Sequence, residues 1–159
     1  MSGWGNFAAV TGGAAAALLG LLFVAVSIRI ETIANSVELR NRSAQTLALL
    51  LTGLLVAALL SVPDQRKWVL GAEYLVLALV VTCAALVLNR QAKSKGRSAI
   101  GRSLDAMNPT FVTCSLLFIA AVALILGHKD GIYLLVPALV AVFVGGVVNA
   151  WLILVKLTD

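Results

Sequence analysis

The chain has 159 residues, 61% of them hydrophobic and only 12% charged, with a formal net charge of +5. Soluble domains carry roughly 25% charged residues, so this chain lacks the polar side chains for a solvated shell. Its mean hydropathy of +1.03 excludes an ordinary water-soluble fold and points to hydrocarbon as the solvent, which accepts apolar surface directly.

The length fits one domain and leaves no room for a membrane bundle plus a separate catalytic domain. Five apolar runs follow one another, and most ionisable residues fall between them. The first run, 7–28, has the length of a bilayer core, about 20 residues. Met1 to Asn6 carries no basic residue, and the run outlasts a secretory h-region, so it reads as a retained helix. The second, 45–62, has a possible earlier start, because Ser36 is placed to cap a helix running through Val37, Glu38 and Leu39. The third is 69–88, the fourth is the short 111–127, and the fifth is 132–155. The expected fold is therefore an all-α polytopic transmembrane bundle of five spans. A four-span version, in which the fourth run dips in and out, is the alternative. Asn108-Pro109 and Gly127 resemble ordinary helix ends and favour five.

Two connections are tight turns, Pro63 to Lys67 and His128 to Gly131, and force antiparallel hairpins. The other two, 29–44 and 90–110, are longer and more basic. After the odd-numbered spans come Arg29, Arg40, Arg42, Arg90, Lys93, Lys95, Arg97, Arg102 and Lys156. After the even-numbered spans come only Arg66, Lys67 and Lys129. The positive-inside rule then predicts the N-terminus outside and the C-terminus in the cytoplasm, with Trp4, Trp68 and Tyr133 at the outer interface and Trp151 at the inner one.

Small residues crowd the first span. Gly12, Ala16 and Gly20 share one helical face, and Ala9, Gly13 and Ala17 share another. Small residues at this spacing let two backbones approach closely, within one chain or between subunits. Gly145, Gly146 and Asn149 do the same for the fifth span, where Asn149 needs a polar partner and is expected to face the bundle. Pro137 is expected to shape or kink that span.

Glu73 is the one acidic residue inside a span. By helical rise it sits about 6 Å from Val69, a shallow depth. A snorkelling side chain is the plain reading. An outer polar pair with His128, sensitive to protons or weakly cation-binding, is the sharper one. Ser27, Thr82, Cys83, Thr113, Cys114 and Ser115 read as hydroxyls and thiols bonded to their own helices or packed as small apolar groups, with a polar inner vestibule as the alternative. The basic segment 90–110 carries Arg90, Lys93, Lys95, Arg97 and Arg102 for anionic lipid. Within it, Ile100, Leu104 and Met107 follow the spacing of a short amphipathic helix.

No catalytic constellation, HExxH, P-loop or dinucleotide fingerprint occurs, so no enzyme, metal or cofactor is implied. The inside-positive loops account for the net charge, so no nucleic-acid partner is implied either. The expected partners are membrane lipid and either further copies of the chain or another membrane protein.

The stretch Gly13 to Ile28, followed by Arg29-Ile30-Glu31-Thr32-Ile33, resembles small uncharacterised multi-pass membrane proteins of actinobacteria and related soil bacteria. Some of these are named as modulators of a membrane-bound protease. The resemblance is best over the first two spans and carries over no site residue. It implies a bacterial inner (cytoplasmic) membrane location. The function expected from all of this is a structural, accessory or regulatory membrane subunit. A small homo-oligomeric channel or permease is the competing class.

Overall fold

A computed structural model of the chain describes residues 4–93 and 109–156. Every regular element among them is helical. In hydrocarbon a backbone must satisfy its own polar groups, and a helix does so within one segment. The elements are α1 (Trp4–Ile28), a short α2 (Ile30–Asn35), α3 (Val37–Leu60), α4 (Lys67–Lys93), α5 (Pro109–Ile125), a 3₁₀ turn (Lys129–Leu134) and α6 (Leu135–Lys156). Four helical stretches, Trp4–Ile28, Leu39–Leu60, Lys67–Leu88 and Asp130–Val155, are long and apolar enough to cross a membrane. The helix Pro109–Ile125 is equally apolar but has 17 residues.

Helices α3, α4, α5 and α6 form a four-sided bundle in which each packs on its two neighbours, α3 closing the ring against α6. Helix α1 stands outside this ring and lies along α3. The main core fills the half nearer the two short turns, around Tyr74, Leu70, Leu117, Leu124, Leu135 and Leu139. A smaller cluster of Leu22, Leu49, Leu50 and Val142 joins α1, α3 and α6. The outer surface is apolar as well. Phe23, Val80, Trp68 and Trp151 all expose more than half of their area, as side chains facing lipid tails or headgroups would.

Local chemistry explains the helix ends. Ser36 caps α3, its Oγ accepting from the Leu39 N–H at 3.4 Å, so this helix begins eight residues before Gln45. The connection 29–44 is therefore helical and packed in part: Ile33, Leu39, Asn41 and Ser43 are buried. Helix α5 stops at Gly127, whose φ of +81° suits a residue without Cβ. There the Gly127 N–H reaches the Leu124 carbonyl and the His128 N–H reaches that of Ala123, the paired bonds of a Schellman end. Pro137 lies in the first turn of α6. Its missing N–H costs nothing there, and the expected kink has no cause.

Candidate functional site

The small residues separate into packed and open sets. On α1 the buried seam against α3 is Ala8, Thr11, Ala15 and Leu22, the i, i+3, i+7 stripe of a helix lying on a neighbour. Gly12 flanks that seam, and a Cβ placed on it would come 3.2 Å from the Ala57 Cβ. Ala9, Gly13, Ala16, Ala17 and Gly20 are exposed, and nothing lies within 4 Å of where a Cβ on Gly13 or Gly20 would be. So Gly12, Ala16 and Gly20 do not act as one packing face within the chain. The α1 surface turned away from α3 is smooth and made of glycine and alanine.

Gly145 and Gly146 sit where α6 meets its neighbours. A Cβ on Gly145 would collide with the Pro109 ring at the start of α5, and one on Gly146 would lie 2.7 Å from Leu50 Cδ2 on α3. Asn149 is half-buried one turn further on. Two glycines that the sequence did not single out are equally tight. Gly53 of α3 meets Val142, with 2.8 Å to its Cγ1, and Gly71 of α4 meets the Ala121 carbonyl oxygen at 2.9 Å. Each is the single glycine of its span; Gly71 has only large residues three and four positions either side, whereas Gly53 has Ala57 four positions on, a small-residue pair at helical spacing. A further unsignalled residue is Tyr74, fully buried in α4.

Glu73 is half-buried at the first turns of α4. Its carboxylate accepts from Gln65 Nε2 at 2.6 Å, so the outer polar partner is Gln65 of the preceding turn and not His128, which is exposed. The side chain reaches back along its helix axis to a residue eight positions earlier, which fits the shallow depth read from the sequence. No group of three His, Cys, Asp or Glu among the described residues is arranged to hold a metal ion.

At the opposite end of the bundle the hydroxyls mostly bond back to their own helices. Ser27 donates to the Phe23 carbonyl, Thr46 to Arg42, Thr52 to Ala48, Thr82 to Ala78 and Ser115 to Phe111, all at 2.7–2.8 Å. Cys114 is buried beside the Thr82 hydroxyl, across the α4–α5 seam. Cys83, expected to be a buried small apolar group, is exposed on the bundle's outside. Asn41 Nδ2, Ser43 Oγ and Thr113 Oγ1 are buried without a hydrogen-bond partner among the described residues. Arg90 is exposed on the last turns of α4, as an anionic-lipid contact requires. Lys93 ends that helix, and Lys95, Arg97, Arg102 and the expected amphipathic helix lie outside the described residues.

Comparison with known proteins found no matching family model, no matching curated protein and no matching solved structure.

Proposed function

We propose that the chain is a non-enzymatic protein of the bacterial inner membrane that serves another membrane protein as an accessory or regulatory subunit. In this reading it crosses the bilayer five times, with the N-terminus outside and the C-terminus in the cytoplasm. Helix α5 supports the count: at 17 residues it spans about 25 Å, the lower limit for a crossing, and it runs beside α4 and α6. The excess of Lys and Arg on the side of Arg29, Arg90 and Lys156 supports the orientation.

The observation that carries the function is the open face of α1. This helix gives one seam to α3 and turns Gly13, Ala16, Ala17 and Gly20 outward. Lipid tails gain nothing from a groove of small residues, whereas a second transmembrane helix gains close backbone packing. The occupant we assign is a transmembrane helix of a partner protein.

The test is native mass spectrometry of the protein extracted gently from its own membranes, wild type beside Gly13→Leu and Gly20→Leu. A foreign chain at fixed stoichiometry that both variants lose, with unchanged melting of the chain itself, supports the reading. A chain that runs alone in all three samples overturns it.

One observation favours a small homo-oligomeric channel or permease as the second reading. The unpaired polar atoms of Asn41, Ser43 and Thr113 are those that water in a permeation path would satisfy. A closed ring of identical chains in the same experiment, with ion flux in liposomes, selects it.

A further inference from the structure

Helices α1 and α3 pack in a fixed register. Gly12 of α1 lies against Ala57 of α3, where a Cβ on it would come 3.2 Å from the Ala57 Cβ. Further along, Leu22 and Val26 pack in one cluster with Leu49 and Leu50. The two helices are therefore antiparallel, and the same register carried to the end of α1 sets Arg29 within about one turn of Arg40. Both arginines stand at the α1–α3 seam. Leu22, Val26, Arg29 and Ile33 follow one another at helical spacing, as do Ala57, Leu50, Ser43 and Arg40. At this end of the seam Ile33 and Ser43 are buried, whereas Arg29 and Arg40 are exposed.

Helix α6 shows the depth of the pair. Its Gly146 meets Leu50 of α3, and its Val142 meets Gly53. Ten residues on from the Gly146–Leu50 contact, Arg40 is level with Lys156, where α6 ends. Just short of that level Leu152, Leu154 and Val155 are still exposed, as side chains facing lipid are. On the α1 side, Ile28 and Ile30 flank Arg29 and are 74% and 56% exposed. The apolar outer surface thus ends at the two arginines, and cations at that boundary lie in the headgroup layer beside lipid phosphates.

A guanidinium presents a planar fork of donors that matches two phosphate oxygens. Two forks from neighbouring helices can hold one phosphodiester between them, with Ile28 and Ile30 against the upper acyl chains. Glu31 is exposed two residues beyond Arg29, a spacing that turns it to another side of the helix.

We propose that Arg29 and Arg40 form a site for one anionic phospholipid, in the leaflet at this end of the bundle, which is the cytoplasmic one in the orientation proposed above. The site is separate from the basic segment 90–110, which begins on α4.

The experiment is native mass spectrometry of the full chain, delipidated in a neutral detergent and offered equal amounts of phosphatidylglycerol and phosphatidylcholine with the same acyl chains. Wild type is expected to favour phosphatidylglycerol in its one-lipid complex. That preference should fall about fivefold in Arg29→Gln and in Arg40→Gln. The double variant should lose little more, because the two side chains share one phosphate. Arg66→Gln removes an exposed arginine at the opposite end of the bundle and should keep the wild-type preference. An unchanged preference in either single variant, an equal fall in Arg66→Gln, a double loss equal to the product of the single ones, or displacement of the lipid by excess inorganic phosphate overturns the proposal. Sidedness plays no part in detergent, so a reversed orientation of the chain would leave these results as they are.

Discussion

The phenol of Tyr74 donates to the backbone carbonyl of Val56 across 3.1 Å, tying α4 to α3 where both residues are buried. Val56 lies inside α3, so its carbonyl also accepts the ordinary helical bond and Tyr74 uses the second lone pair. Tyr74→Phe removes only that extra bond, and its expected cost is about 1 kcal/mol or less. Tyr74→Ala also empties the centre of the core and is expected to cost about 3–5 kcal/mol. Thermal unfolding in detergent, comparing the two variants, checks both the direction and the gap. Equal losses would show that the ring's volume, and not its hydroxyl, makes no difference to the joint.

Gly71 marks the closest approach of α4 to α5. A methyl group there meets the Ala121 carbonyl oxygen at 2.9 Å and the Ile125 nitrogen at 3.1 Å, and backbone cannot swing aside as a side-chain tip can. Gly71→Ala is expected to cost about 1–3 kcal/mol. Gly13→Ala, with open space around it, should melt as wild type does. The paired melting curves decide whether close contact, rather than the loss of glycine as such, matters.

At Gly127 the left-handed backbone, not crowding, sets the requirement, since nothing lies within 4 Å of a Cβ there. Gly127→Ala should therefore destabilise by about 1 kcal/mol, and Gly127→Asn by less, because asparagine visits that region more readily. Chemical unfolding of the two variants would reveal a reversed order if sterics governed the site.

Glu73→Gln keeps an acceptor for Gln65 Nε2 and exchanges a charge-assisted bond for a neutral one. The expected loss is under about 1 kcal/mol. Glu73→Leu leaves the Gln65 amide without its acceptor and should lower the melting temperature further. A leucine variant as stable as the glutamine one would show that the bond does not hold the turn.

The contrast between Gly145 and Gly71 shows what the sequence discloses. Five apolar runs, their short turns, the Ser36 cap and the Gly127 stop are readable, because hydropathy, proline, glycine and capping residues act locally. Gly145 was visible because Gly146 and Asn149 stand beside it at helical spacing. Gly71 was not, because its neighbours at helical spacing, Lys67, Trp68, Tyr74 and Leu75, are all large; Gly53 was signalled only by Ala57 four residues on. The same limit explains α1. In a soluble helix the polar side reveals which face is buried, but lipid and protein interior are equally apolar, so that signal vanishes. The small residues of α1 announced close packing without saying that Gly12 faces α3 while Gly13 and Gly20 face away. The Glu73–Gln65 bond was hidden for another reason: eight residues separate the partners, and only the turn between α3 and α4 brings them together.

The position of α1 also fixes an order of events in time. Helix α1 is made before α3, the neighbour it packs on in the bundle, and the four-sided ring closes without it. During synthesis α1 must wait in the bilayer until α3 arrives, with its glycine-rich side already turned toward any passing helix. In the proposed accessory role, α1 offers that side to its partner before α3 is made, and the finished ring is not needed to hold it.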